Sequence, residues 1–200
     1  MVDEIKIFNK YPTTGIEIND QGIKEYVSLK PIIVPKTGAR YAGNRFHKSR
    51  ISIVERLINK VMVVGHKGKK HKTSSGHNTG KAQNAYEIVK GAFAIIEQKT
   101  SQNPVAVFAK AVENAAPREE IVTIEYGGAR YPKAVESAPQ RRIDVALRQM
   151  TQSAYSKTFD SKRDASSTLA SEIIDAFNMS NKSQAISKKL DTERQADSAR

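Results

Sequence analysis

Between Val122 and Val135 the apolar residues stop recurring every three or four positions and begin to alternate. Val122, Ile124 and Tyr126 are separated by Thr123 and Glu125, and beyond Gly127-Gly128 the positions Tyr131, Lys133 and Val135 resume the alternation. A period of two is the signature of a strand. A glycine pair supplies the positive φ angles that a tight primed turn requires. The stretch at about 119–136 is therefore a β-hairpin, and Pro132 fits because a two-stranded ribbon has open edges. A lone ribbon is marginal in water, so its base must lean on other elements while its tip projects. Strands of about seven residues at about 3.3 Å each make an arm of about 20 Å.

The elements beside it must then be helices, and the spacing agrees. Ile51, Val54, Ile58 and Val61 share one face, widened by Leu57 and Met62, which predicts a helix from Ser49 to near Gly65. A second helix, capped by Asn78 or Thr79 and running to about Gln98, carries Ala85, Val89, Ala92, Phe93 and Ile96. Asn103-Pro104 reads as an N-cap followed by proline at the first helical position, and Pro117 stops that helix after Val105, Phe108, Ala111, Val112 and Ala115. Pro139 opens a fourth helix to about Tyr155 with Ile143, Leu147 and Met150 inward. A fifth spans roughly Lys162 to Asn178, and a sixth from about Lys182 grows polar toward Arg200. Residues 1–47 read as extended, since Pro12, Pro31, Pro35, Gly38 and Gly43 interrupt any helix. The expected fold is mainly α: one helical domain of about six helices over 48–200, a protruding β-hairpin, and an extended basic N-terminal arm over 1–47. Two hundred residues are enough for one sizeable core.

Charge is segregated along this chain. From Tyr26 to Tyr86 there are thirteen lysines and arginines against one acid, Glu55, while the remaining 139 residues hold 20 bases and 20 acids. The densest part, Gly65 to Lys81, has five lysines, three histidines and no carboxylate. A scattered surplus of lysine serves solubility. A block repels itself in the free protein and points to a polyanion, with nucleic acid first among them. Within Pro35 to Arg50 the cations Arg40, Arg45, Lys48 and Arg50 interleave with Tyr41 and Phe46. Either ring can offer a face to an unstacked base or anchor the arm on the core, and the sequence leaves both open. Arg141-Arg142 begin a helix, where the dipole disfavours cations, so something outside the helix is expected to want them there.

Other chemistries find little support. There is no cysteine, hence no disulfide, thiolate nucleophile or cysteine-based zinc site. Gly76 to Ala82 fails as a nucleotide-binding loop: three residues separate the glycines instead of four, and Ala82 stands where a magnesium-binding hydroxyl belongs. His66, His71 and His77 are spaced unlike any zinc motif, and Glu97, Glu119 and Glu120 form no acid–base pair in the pattern. No enzyme activity, metal or cofactor is expected. The opening MVDEIKIFNK lacks the order of a secretory signal, and no run approaches the roughly 18 apolar residues of a bilayer crossing, so an intracellular chain without a membrane partner is expected.

Four stretches carry a resemblance: RLINKVM (Arg56 to Met62), NTGKAQNAYEIVKGAFAIIEQKT (Asn78 to Thr100), NPVAVFAKAVENAAPREE (Asn103 to Glu120) and GGARYPKAVESAPQRRIDVALRQM (Gly127 to Met150). They are similar to the small-subunit ribosomal protein seven family in its archaeal and eukaryotic form. The resemblance implies a helical domain with one protruding ribbon that binds the 3′ major domain of small-subunit rRNA. It also implies nucleation of head assembly, and a place in the cytoplasmic small subunit, at the subunit interface near the exit-site tRNA and the mRNA path. On this view Lys36, Arg40, Arg45, Lys48, Arg50, Lys67, Lys69, Lys70, Lys72, Lys81, Arg141 and Arg142 grip rRNA. The hairpin residues Gly127, Gly128, Arg130, Tyr131 and Lys133 face tRNA and mRNA, and neighbouring head and platform proteins are further partners. The alternative is a free regulator that binds DNA or its own messenger.

Overall fold

The computed structural model describes residues 5–63 and 78–200. Along the chain run α1 (Gln21–Lys24), a 3-10 turn (His47–Arg50), α2 (Ile53–Val61), α3 (Ala82–Thr100), α4 (Pro104–Ala115), β1 (Glu119–Tyr126), β2 (Ala129–Glu136), α5 (Pro139–Thr158), α6 (Ala165–Phe177) and α7 (Gln184–Ser198). Among the described residues the fold is mainly α with one hairpin, as the periodicity predicts. Most helices start where a side chain can accept an otherwise unpaired backbone N–H. Ser52 accepts from Val54, Asn103 from Val105, Asp164 from Ser166 and Ser183 from Ile186.

Three boundaries differ from expectation. His47–Arg50 forms its own turn and Ile51 is extended, so α2 begins at Ile53 behind its Ser52 cap. Asp164, a better cap than Lys162, moves the start of α6 to Ala165. Neither Asn78 nor Thr79 caps α3. The Lys81 N–H donates to the Asn78 carbonyl at 3.2 Å and Gly80 takes a φ of +73°, which leaves Lys81 as a cap without a side-chain acceptor.

Phe93 of α3 and Phe108 of α4 lie at the centre with ring centroids 5.8 Å apart, and Phe8 meets Phe93 edge-on. Leu57, Ile96, Ile143, Leu147, Met150, Leu169 and Ile173 close around them, each essentially inaccessible. Such a side chain contributes about 1.5–3 kcal/mol on burial. The α3–α6 crossing depends on Gly91, where an added Cβ would stand 2.9 Å from the Ser166 hydroxyl. Helices α5, α6 and α7 meet at the fully buried Glu172. Its carboxylate accepts from Ser153 and Lys157, both at 2.7 Å, from Ser183 at 2.8 Å and from the Ala185 N–H at 3.2 Å.

The N-terminal stretch is extended for much of its length, and its first part is packed onto the body. Ile7, Phe8, Tyr11, Ile18, Ile23 and Val27 belong to the core, and the Ile53 N–H donates to the Ser28 carbonyl at 2.9 Å. Hydrophobic anchors at irregular spacing leave no periodic trace, so the sequence could not show how far the core reaches into this segment.

In the hairpin Val122 faces Lys133, Ile124 faces Tyr131 and Tyr126 faces Ala129. Gly127 and Gly128 have φ of +59° and +82°, as a primed turn requires. The base leans on α7: the Arg118 N–H donates to Glu193 at 2.9 Å and Arg200 pairs with Glu119. The tip projects, with Tyr126 81% exposed.

Candidate nucleic-acid interface

Glu55, the single acid of the cationic stretch, points inward. One of its oxygens accepts from both the N–H (3.0 Å) and the hydroxyl (2.6 Å) of Thr37, and the residue is buried. This carboxylate therefore holds the arm to α2 and leaves the outer surface to cations. Lys36, Arg40, His47 and Arg50 line a shallow hollow of about 410 Å³ together with Thr37, Tyr41 and Ile51. Lys36, Arg40, Arg45 and Arg50 are exposed and have no carboxylate partner among the described residues. The hollow can accept the oxygens of a phosphate group from several directions.

The two aromatic residues of the arm differ. Tyr41 is half-buried and its hydroxyl accepts from the Asn59 side chain at 3.1 Å; burial and then the nearby Glu55 raise its phenol pKa above the ordinary value. Phe46 is 62% exposed, with the Arg45 guanidinium 5.5 Å from its ring centre.

Lys48 and Arg56 converge on Asp144 of α5, Arg56 at 3.2 Å. Arg56 is buried and also donates to the Tyr26 carbonyl at 3.1 Å. Burial opposes charge on Asp144, but Lys48 and Arg56 together hold its carboxyl below the usual range. Lys60 lies close to the same group. Desolvation lowers its pKa, and Arg148, Lys48 and Arg56 add repulsion. One carboxylate thus serves a crowd of cations, a surplus that an external anion would relieve.

Arg141 and Arg142 diverge, as consecutive helix residues must at 3.6 residues per turn. Arg141 forks onto Glu120 at the hairpin base, its Nη2 at 2.7 Å, and remains exposed. Arg142 turns inward, where its Nε donates to the Pro117 carbonyl at 3.0 Å and its Nη2 to Asp20 at 2.5 Å, leaving the side chain 8% exposed. The two were expected to grip rRNA together, but only Arg141 presents its guanidinium outward. The anion that offsets the helix dipole at Arg142 is internal.

At the hairpin, Arg130 pairs with Glu125 at 3.5 Å, with both side chains in solvent. Tyr131 and Lys133 are exposed on the same ribbon. Lys81 stands exposed at the start of α3. Lys67, Lys69, Lys70 and Lys72, with His66, His71 and His77, lie outside the described residues. Among the described residues there is no group of three or more His, Asp or Glu arranged to hold a metal ion, and no helix is long and apolar enough to cross a membrane. Sequence reasoning missed Asp20, Glu55 and Asp144 as organising acids. Only Glu55 left a signal, as the lone carboxylate in a block of cations.

A helical body, one face from which Glu55 and Asp144 are turned inward, and a projecting ribbon make a scaffold protein with a surface suited to a polyanion. Comparison with known proteins makes that class specific. A family model described as ribosomal protein S7p/S5e matches residues 23–200. The small ribosomal subunit protein uS7 of Nanoarchaeum equitans is 49% identical over 197 residues, covering 98% of this chain and 100% of that protein. Those of Methanococcoides burtonii and Archaeoglobus fulgidus are 47% and 45% identical, over 98% and 99% of this chain and 99% and 96% of theirs. The chain belongs to the ribosomal protein S7p/S5e family, whose members are structural ribosomal proteins and not enzymes.

Proposed function

We propose that this chain is a structural component of the cytoplasmic small ribosomal subunit that binds the 3′ major domain of its rRNA and nucleates folding of the head. The observation that carries the reading is the inward turn of Glu55, which leaves Lys36, Arg40, Arg45 and Arg50 exposed with no carboxylate partner among the described residues. Such a surface neutralises phosphates that a folded junction brings close together. Phosphate and shape contacts dominate over base readout in structured RNA. Lys67, Lys69, Lys70, Lys72 and Lys81 extend the same charge along the chain, while Lys48 and Arg141 reach RNA by exchanging a carboxylate for a phosphate. The ribbon tip, with Gly127, Gly128, Arg130, Tyr131 and Lys133, lies beside the exit-site tRNA and the mRNA path. The body and α7 meet neighbouring head and platform proteins.

Binding of the purified chain to a 3′ major domain transcript, to an equal length of 5′ domain transcript and to a short DNA duplex tests the reading. Preference for the first is expected, together with co-sedimentation of the chain with small subunits. Equal binding to all three, or preference for the duplex, contradicts it and favours a free regulator.

A further inference from the structure

Phe46 has no place in the body and no place in a purely phosphate-binding surface. Its side chain lacks any hydrogen-bonding handle, yet 62% of the residue is in solvent. Nor does it hang on a loose tether. The Ser49 N–H donates to the Phe46 carbonyl and the His47 N–H to that of Asn44, at 3.2 and 3.3 Å, and the 3-10 turn that follows leads directly into buried Ile51. The ring is therefore held out by ordered backbone. Arg45 sets a guanidinium 5.5 Å from its centre, and the residue that follows Phe46, His47, lines the cationic hollow with Arg50. An aromatic face among cations fits a ligand with a π-surface and a negative charge on the same unit, which describes a nucleotide.

Building on the RNA-binding reading, we infer that Phe46 is a stacking platform for one unpaired rRNA base, whose flanking phosphates are taken by Arg45 and the Lys36–Arg40–Arg50 hollow. Tyr41, bonded to Asn59, is the anchor of the arm, and Phe46 is its reading surface. Stacking tolerates any base, so the site selects an unstacked nucleotide and not a particular one. A protein partner is disfavoured because it would need an acidic face to meet the surrounding cations.

The chain contains no tryptophan, so Phe46→Trp introduces a single indole at the site, which can be excited selectively over the tyrosines. On titration with the 3′ major domain transcript its emission should be quenched at wild-type affinity. Phe46→Ala should weaken binding by roughly five- to a hundredfold without changing the salt dependence, and Phe46→Tyr should restore it. Undiminished binding by Phe46→Ala with unmoved emission from Phe46→Trp overturns the stack. Emission that moves only when other small-subunit proteins are added assigns the ring to a protein neighbour and overturns it equally. A wild-type chain that ignores the transcript fails the RNA-binding reading itself, and this inference with it.

Discussion

The Arg142 guanidinium and the Asp20 carboxylate meet at 2.5 Å across 122 residues of sequence. Their contact pins the N-terminal stretch to the first turn of α5. Asp20 also accepts from the Gly22 N–H at 2.8 Å, and its own N–H donates to Glu113 of α4 at 3.0 Å. Gly22 makes room for this joint, since a Cβ there would stand 2.8 Å from Arg142 Nη1.

Adjacent arginines should therefore have opposite phenotypes. Removing one partner of a buried pair leaves the other charge uncompensated, so Arg142→Ala should lower unfolding stability by about 3–5 kcal/mol in urea melts. Arg141→Ala, at an exposed pair, should cost less than about 1 kcal/mol. It should instead reduce the salt slope of RNA binding by about 0.7–0.9.

Acid should loosen the same joint. Burial opposes charge on Asp20, but Arg142 and the Gly22 N–H hold its carboxyl below the ordinary 3.8. A depressed carboxyl stabilises the fold fully above its unfolded value, and that contribution is lost as pH falls through the lower folded value. The urea midpoint should therefore fall below about pH 4 in the wild type. Asp20→Asn should start lower and fall less steeply over the same range.

Glu172 should be the most sensitive acid of the body. It is fully buried with every contact satisfied, so Glu172→Ala strands Lys157 and two hydroxyls and should lower stability by about 3–5 kcal/mol. Glu172→Gln keeps the shape and should lose less. Thermal melts of the two variants give the ordering.

The ribbon tip should be dispensable for folding. Deleting Tyr126 to Tyr131 and closing the strands removes residues that are exposed, so rRNA affinity should remain within about twofold. Exit-site tRNA occupancy and reading-frame maintenance should suffer in subunits reconstituted with the variant. Collapse of assembly would show that the ribbon supports the RNA-bound body.

Periodicity made the long helices and the hairpin legible, because Val105, Phe108 and Val112, or Val122, Ile124 and Tyr126, repeat at spacings set by backbone geometry. Charge made the cationic face legible, because Glu55 is alone among thirteen bases. Pairing across the chain was not legible. Nothing near Arg142 in sequence announces Asp20, and the opposite directions of Arg141 and Arg142 follow from helix phase only once the core is known. Tyr41 and Phe46 occur in similar local contexts; Asn59, placed by α2, separates their roles.

If the cationic face neutralises rRNA phosphates, the salt dependence of binding measures it directly. Titrating the 3′ major domain transcript between about 50 and 200 mM salt should give a slope of log K against log salt on the order of −7 to −9, as for about ten phosphates neutralised. A slope near zero, with binding intact, would contradict it.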